Sequence, residues 1–426
     1  MAMRGIVLRW IFLLPIILSF FNFRTAAKLR VIHKWKYIDY LWESEGQKRA
    51  FVQEKKYDYR KIIPTDSQVL QDGRTVIATP KYFDNPASLS TISSKTGNGG
   101  PLLMPYPNWN WHNGSCSGIS SVSKLMLDKC NRLWFIDTGK IGDTHVCPPR
   151  IRAFSSKNDE LVKDVVIPSK FSKQIGRTGK GGNFEIQAVE THGDYCDQLW
   201  VYFSDVESNV LLIFNGKKIW RIRNSVFAGN DEGSNFEVAG ERFYLKRGLS
   251  KSAISPPGFL KNDILLIGAF SSQNGYAIEL KDLHDSCTGS EPTYYKLTSL
   301  KMNISQGIAK YWSEKTGVLV ESYASESMIA CWNIENYLEA SNVGILAQNS
   351  TTLQFVTSVK IVKDPYRDTE RLVVLSNRFQ KYILGTMNFD EINYRILSGD
   401  FSTLIKGTVC EPNLPSIVEK GFTPDN

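Results

Sequence analysis

Short apolar segments recur along the whole chain, and each is bounded by turn-forming residues. Runs of this length, rich in branched and aromatic side chains, are typical of β-strands. Long stretches with apolar residues three to four apart, which would indicate helices, are hard to find. The pattern therefore predicts an all-β chain, and its clearest strand segments are 75–80, 132–137, 199–205, 210–214, 263–270, 316–323 and 371–377.

Two of these segments begin in the same way. CNRLWFID (130–137) and CDQLWVYFSD (196–205) each start with Cys, a polar pair and Leu-Trp, and each ends its strand at Asp. Weaker echoes surround NDILLIGAF, EKTGVLVESYASESMIACWN and DTERLVVLSN. Repeats of about 40 to 65 residues with about four strands each are typical of a β-propeller, and the chain length predicts about six blades. A β-sandwich or jelly roll is the alternative, although this length would strain a single sandwich.

The N-terminal segment predicts a secreted, extracellular protein. Arg4 and Arg9 precede the apolar run 10–21, and the small residues of RTAA follow it. This is the order of charge, apolar core and cleavage site in a secretory signal peptide, so we expect cleavage near Ala27. Residues 1–27 would be removed and residues 28–426 would form a single domain. A membrane anchor is the alternative, but the run is shorter than the roughly 20 residues that span a bilayer, and no later segment supplies a span.

The charge distribution argues against a nucleic-acid partner. The formal net charge is +8, and the predicted signal peptide contributes three Arg and no acidic residue to it. The remaining Lys and Arg are interspersed with Asp and Glu, without the basic block that a nucleic-acid binder usually carries. We interpret them as a solvated surface.

The cysteines and sequons fit an oxidising compartment. All seven Cys lie beyond the predicted signal peptide, so disulfides are expected. They form no CxxC pair of the zinc-ribbon kind, and their odd number leaves at least one thiol free or paired between chains. Three Asn-X-Ser/Thr sequons predict N-glycosylation at Asn113, Asn303 and Asn349.

No residue pattern for catalysis stands out. None of the five His lies in HExxH, and no GxSxG elbow is present. GRTGKGGN (176–183) lacks the Ser or Thr that follows Gly-Lys in a phosphate-binding loop. Four carboxylates could reach the mouth of a propeller channel and hold calcium, but they are equally typical of turns: Asp137, Asp143, Glu185 and Asp205. We therefore predict no catalytic residue, no metal and no cofactor.

Longer motifs resemble the yellow and major royal jelly protein family of insects. They occur in the family's order: KWKYIDYLW (34–42), NPASLSTIS (85–93), GGPLLMPYPNWNWHNGSCSGISSV (99–122), DKCNRLWFIDTG (128–139), CPPRIRAF (147–154), CWN (331–333), LSNRFQK (375–381) and FDEINYRIL (389–397). The resemblance implies a secreted, often glycosylated, disulfide-stabilised six-bladed propeller with about four antiparallel strands per blade.

The resemblance also implies how the cysteines pair. Six of them stand in contexts that match the family, and Cys287 is the extra one. The implied bridges are Cys130 to Cys196, which would join adjacent blades, Cys331 to Cys410, which would hold the C-terminal segment, and Cys116 to Cys147. Sequence alone does not fix this connectivity.

Relatives suggest a ligand site. Salivary members from biting flies hold a biogenic amine in the central channel with an Asn and a Phe two apart, which implies Asn377 and Phe379 here, with Thr352 as a partner. An Asn carbonyl can accept a hydrogen bond from an ammonium group, and a Phe face can attract it. The structural alternative is that Asn377 caps a turn and Phe379 packs in the core. The segment MNISQG (302–307) departs from the hydroxyl-rich segment of many relatives.

Three functions follow from these features. We predict a non-catalytic binder of a small aromatic or amine-like ligand, with a role in cuticle pigmentation, development or glandular secretion. The family resemblance alone suggests a second function, an isomerase that converts dopachrome in melanin synthesis. The third is a nutritive or storage protein, although the chain has only seven Met and no repetitive tail.

Overall fold

A computed structural model describes residues 29–172, 181–297, 306–364 and 367–412. The predicted signal peptide and Asn303 lie outside these ranges. Within them, six four-stranded antiparallel sheets are arranged as the blades of a propeller, which confirms the predicted fold.

The first half of the chain contains the first three blades. In chain order its strands are β1 (Arg30–Trp35); β2 (Asp66–Val69), β3 (Thr75–Ala78), β4 (Leu89–Gly97) and β5 (Gly100–Pro105) of blade 1; β6 (Met126–Leu127), β7 (Arg132–Asp137), the small hairpin β8 (Lys140–Ile141) and β9 (Thr144–His145), β10 (Arg150–Ser155) and β11 (Leu161–Val166) of blade 2; and β12 (Phe184–His192), β13 (Gln198–Asp205), β14 (Val210–Phe214) and β15 (Ile219–Arg223) of blade 3.

The second half contains the other three blades. Its strands are the hairpin β16 (Asn235–Val238) and β17 (Glu241–Tyr244); β18 (Leu249–Ile254), β19 (Ile264–Ala269), β20 (Gly275–Glu279) and β21 (Tyr295–Leu297) of blade 4; β22 (Gly307–Trp312), β23 (Val318–Tyr323), β24 (Met328–Asn333) and β25 (Val343–Gln348) of blade 5; and β26 (Phe355–Lys363), β27 (Glu370–Asn377) and β28 (Tyr394–Asp400) of blade 6.

Helices are short and lie in the connections. They are α1 (Glu45–Gln53), α2 (Ser169–Ser172), α3 (Leu280–Asp285), α4 (Phe379–Leu384) and α5 (Phe401–Ile405). Single 3₁₀ turns occur at Tyr59–Lys61, Trp109–His112, Ser225–Phe227, Glu232–Ser234, Ser286–Thr288 and Ala340–Asn342. Within the described ranges, no helix is long and apolar enough to cross a bilayer.

The two ends of the chain close the ring. Strand β1 pairs with β28 in antiparallel register, with Trp35 opposite Tyr394. Blade 6 therefore takes its outer strand from the N-terminal part of the chain and its other three strands from the C-terminal part. The first strand of each other blade lies innermost, and the six inner strands β2, β6, β12, β18, β22 and β26 are neighbours around one axis.

Alternation along each strand explains why the strand segments are apolar throughout. In β7, Leu133 and Phe135 pack with blade 1, whereas Trp134 and Ile136 pack with blade 3. All four are buried. Because both faces of a blade are covered by its neighbours, apolar residues occupy successive positions instead of every second one.

The repeated Cys-x-x-Leu-Trp segments are equivalent strands of neighbouring blades. Residues 130–137 contain the turn and second strand β7 of blade 2, and residues 196–205 contain the turn and second strand β13 of blade 3. The disulfide Cys130–Cys196 joins these two turns. The other disulfides are Cys116–Cys147 and Cys331–Cys410, so all three pairs are those that the family resemblance implied.

The Cys331–Cys410 disulfide fixes the chain after the last strand. Cys331 lies in β24 of blade 5, and Cys410 lies beyond α5, where both are buried in one apolar cluster with Leu404 and Ile405. Cys287 is free and half-buried.

Replacement of both Cys331 and Cys410 by Ala should lower the free energy of unfolding by about 2 to 4 kcal/mol, because the unfolded chain loses a covalent constraint. Cys287→Ser is the matched control and should leave stability nearly unchanged. Urea unfolding followed by tryptophan fluorescence measures both variants. Equal stability of the double variant and the wild type would show that packing alone holds the C-terminal segment.

Candidate functional site

A cavity opens at the end of the channel where the inner strands begin. It holds about 450 Å³ of empty space, its opening to solvent included. We call its lining the channel mouth: Thr65, Tyr82, Ser123, Lys124, Glu185, Arg247, Ser250, Phe270, Ile308, Phe355, Thr357 and Phe379. Most of these residues stand just before or at the start of an inner strand, so all six blades contribute through that position alone.

β-Bulges aim several of these side chains. The register of inner strands β18 and β26 shifts at Ser250 and at Thr357, and both residues line the channel mouth. A bulge inserts one residue without a partner and redirects its side chain. Ser250 and Thr357 therefore enter the mouth from positions where the regular alternation of the strand is interrupted.

Aromatic side chains form one part of the mouth. Tyr82, Phe270 and Phe379 follow the second strand of blades 1, 4 and 6, and Phe355 opens inner strand β26. The ring centroids of Phe355 and Phe379 are 5.2 Å apart, and those of Phe270 and Phe355 are 6.5 Å apart. Burial raises the pKa of Tyr82, so its hydroxyl stays protonated at neutral pH.

Polar side chains from three blades form the other part of the channel mouth. Glu185 Oε2 accepts from the Ser250 hydroxyl at 2.6 Å and lies 3.2 Å from Lys124 Nζ. Lys124 Nζ also donates to the backbone carbonyl and hydroxyl of Ser250. Lys124 leads into blade 2, Glu185 lies in blade 3 and Ser250 lies in blade 4, so these contacts connect three blades.

Arg247 is the second cation of the mouth. Burial works to lower the pKa of its guanidinium, but the Tyr82 hydroxyl and the Glu185 carboxylate outweigh burial and raise it. The backbone N–H of Arg247 donates to Ser271 Oγ at 3.0 Å, and its carbonyl accepts from Ser271 N–H at 3.2 Å. These two bonds hold the backbone from which the side chain enters the mouth.

Below the mouth, the channel is lined by further lysines. Lys360 Nζ lies 3.4 Å from Asp66, Lys310 Nζ lies 3.2 Å from Glu321, and Lys251 Nζ donates to the Ser272 carbonyl at 2.9 Å. Burial lowers the pKa of Lys251 to about 7, because a desolvated ammonium is less stable than a hydrated one.

Two of the three predicted ligand residues lie at or beside the mouth. Phe379 lines it. Asn377 is buried behind it, where Nδ2 donates to the Pro64 carbonyl at 2.8 Å and to Thr357 Oγ1 at 3.2 Å, and Oδ1 accepts from Phe379 N–H at 3.0 Å. The amide of Asn377 is thus engaged in holding the loop that presents Phe379.

The structure does not bring Thr352 to this group. Its backbone N–H donates to Asn349 Oδ1 in the turn before β26, and Thr357 is the hydroxyl residue beside Asn377. Ligand binding by Thr352, Asn377 and Phe379 stays a prediction.

Other predicted positions have ordinary surroundings. Asn113 and Asn349 are exposed, as glycosylation requires. Asp137 accepts from the backbone N–H of Ser120 and Ser121. Among the four carboxylates considered for the mouth, Glu185 is the one that lines it. In the part of the chain that the structure describes, no three His, Cys, Asp or Glu side chains are grouped so that they could hold a metal ion.

Sequence reasoning missed most of the mouth. The missed residues lie near the start of an inner strand or shortly after the end of a second strand; they include Thr65, Tyr82, Ser123, Lys124, Arg247, Phe270 and Phe355. The predicted second strands gave a signal for Tyr82 and Phe270, which follow them, whereas the inner strands were not among the predicted segments, so the residues at their starts carried no such signal.

The depressed pKa of Lys251 should appear as pH-dependent stability. Between about pH 7 and 10.5 the unfolded lysine is protonated and the folded one is neutral, so stability rises with pH across this window. The slope contributed by Lys251 is at most about 1.4 kcal/mol per pH unit. Urea midpoints at pH 6.5 to 9.5 should rise less in Lys251→Met than in the wild type. Lys95→Met, at an exposed site, is the control, and an unchanged slope in Lys251→Met would contradict the assignment.

Comparison with known proteins identifies the family. The family described as "Major royal jelly protein" matches residues 120–410. The chain is 35% identical over 395 residues to Major royal jelly protein 9 of Apis mellifera, covering 91% of each chain. It is 34% identical over 396 residues to Major royal jelly protein 6 of the same species, covering 90% of this chain and 88% of that one. Among solved structures it is similar to the PQQ-bound aldose sugar dehydrogenase of Streptomyces coelicolor, with a TM-score of 0.43 and 11% identity over 88% of this chain and 98% of that one. The family match and these identities show that the chain belongs to the major royal jelly protein family.

Proposed function

We propose that this protein is a non-catalytic binder of a small aromatic ligand, which it holds at the channel mouth. The observation that supports the proposal is the convergence of Tyr82, Phe270, Phe355 and Phe379 on one cavity. Ligand sites are typically concave and mostly apolar, with a few placed polar groups. The mouth has this composition.

The aromatic side chains favour a flat ring over an aliphatic chain. Offset or edge-to-face ring pairs are worth about 0.5 to 1.5 kcal/mol beyond the area they bury. Phe355 and Phe379 are tilted by 53° to each other, and Phe270 and Phe355 by 19°. A ligand ring could contact one side chain face to face and another by its edge.

A biogenic amine is one ligand class that the mouth could accept. The carbonyl oxygen of Asn377 already accepts from Phe379 N–H, so Glu185 is the better acceptor for an ammonium group. Lys124 and Ser250 both contact its Oε2 atom, and Oε1 is the atom that would accept from the ligand.

The proposed biological setting follows from the sequence. We propose that the chain is secreted after loss of residues 1–27 and glycosylated at Asn113, Asn303 and Asn349. A secreted aromatic binder could act in cuticle pigmentation, development or glandular secretion, where small aromatic molecules are carried or sequestered.

Isothermal titration calorimetry tests the proposal. Serotonin, dopamine and octopamine should bind, whereas n-butylamine, which has the charge without the ring, should bind at least tenfold more weakly. Phe379→Ala should weaken the aromatic amines about tenfold, since a ring contact and the lost burial amount to about 1.4 kcal/mol. Phe83→Ala removes an exposed ring one residue from Tyr82 and should leave affinity unchanged. Absence of heat with aromatic amines at millimolar concentration would overturn the proposal.

A second assay separates binding from catalysis. The absorbance of dopachrome should decay at the same rate with the native protein as with boiled protein, because the proposed role involves no turnover. A saturable acceleration by the native protein would contradict the non-catalytic assignment and favour an isomerase.

A further inference from the structure

The charges of the channel mouth do not balance. Its lining contains two cations, Lys124 and Arg247, and one carboxylate, Glu185. The Glu185 carboxylate is 3.2 Å from Lys124 Nζ and is the ion partner of that lysine. Among the described residues, no carboxylate forms a direct ion pair with the guanidinium of Arg247: its hydrogen-bonding neighbour is the neutral Tyr82 hydroxyl, and Glu185 and Glu207 act on it from a longer distance.

Lys124 and Arg247 have different roles in the fold. Lys124 joins blades 2, 3 and 4 through Glu185 and Ser250, so its ammonium group is already satisfied. Arg247 is held by its backbone, through two hydrogen bonds to Ser271. Its side chain has no comparable structural partner within the described ranges, although it is partly buried among Tyr82 and the other lining residues.

A partly buried guanidinium without a directly paired counter-ion is incompletely compensated, and a ligand can supply that partner. The planar fork of Arg matches a carboxylate with two parallel hydrogen bonds. The mouth also offers the rings of Tyr82, Phe270, Phe355 and Phe379 and the Oε1 atom of Glu185. Three chemical features of a ligand thus have counterparts in one cavity: a ring, a carboxylate and an ammonium group.

We infer that the preferred ligand class of the channel mouth is the aromatic α-amino acids, whose carboxylate binds Arg247 and whose ring lies among the four aromatic side chains. This inference rests on the proposed function and makes it more specific. The ammonium group of the ligand is placed at Glu185 Oε1. Decarboxylated amines keep the ring and ammonium contacts but lose the contact with Arg247.

Pairs of ligands that differ by one group test the inference. Calorimetry compares tyrosine with tyramine, which lacks the carboxylate, and with 3-(4-hydroxyphenyl)propionate, which lacks the ammonium group. In the wild type, tyrosine should bind about tenfold more tightly than tyramine, because its carboxylate forms one charge-assisted bidentate contact with Arg247. Tyramine binding equal to or tighter than tyrosine binding would overturn the inference while leaving the proposed aromatic site intact. Failure of all three ligands would count against the aromatic site itself.

Variants assign the effect to Arg247. In Arg247→Gln the preference for tyrosine over tyramine should fall to within about twofold, while tyramine affinity is retained, which also reports that the mouth is folded. Arg247→Lys should restore part of the preference. The matched control is Arg242→Gln, at an exposed site where Arg242 pairs with Glu237 at 2.7 Å, and it should bind as the wild type does. The inference would be overturned if Arg247→Gln kept the wild-type preference for tyrosine. It would also be overturned if Arg247→Gln lost affinity for tyrosine and tyramine equally and Arg247→Lys did not restore it.

Discussion

The inner edges of six sheets face one another around the channel, and the backbone carbonyls on those edges have no further strand to pair with. Buried carbonyls have to find donors. Hydroxyl groups from neighbouring blades supply many of them: Ser204 donates to the Leu249 carbonyl, Ser252 to Gln187, Ser322 to Val356 and Ser358 to Ser67. Lysines reach farther, with Lys360 donating to the Leu125 carbonyl and Lys124 to that of Ser250. The need to satisfy these edges explains why the channel is rich in Ser and Lys, while the spaces between blades are apolar.

This requirement also clarifies which charges at the mouth are structural. Lys124 and Lys360 cap backbone carbonyls and pair with Glu185 and Asp66, so they would be needed in a propeller that bound nothing. Among the described contacts, the side chain of Arg247 donates to no backbone carbonyl of an inner strand. Its guanidinium has the Tyr82 hydroxyl as a neighbour but no direct ion partner among the described residues, so it is the cation of the channel mouth most readily explained by a ligand.

The fold could be predicted from the sequence because the second strand of every blade carries its own evidence. Leu133 and Trp134 face different blades and are both apolar. Strand β7 can therefore be recognised as a continuous apolar segment from its own residues alone. The site is different, because Tyr82, Glu185, Arg247 and Phe379 come together only when the ring closes. Phe379 was found through family resemblance. Thr357, which lies beside Asn377, is absent from the predicted ligand residues because the bulge at that position, which sets the direction of its side chain, leaves no mark in the residue pattern.

The pairing of β1 with β28 has a consequence for how the protein is made. Synthesis proceeds from the N-terminus, and domains usually fold as the chain emerges. Here Arg30–Trp35 has no partner strand until Tyr394–Asp400 has been produced. Until then β1 stays unpaired, and an unpaired strand edge is a template for unwanted pairing. Pairing of β1 with β28 removes this unpaired strand edge, so the chain is most exposed to association with its neighbours before the ring closes.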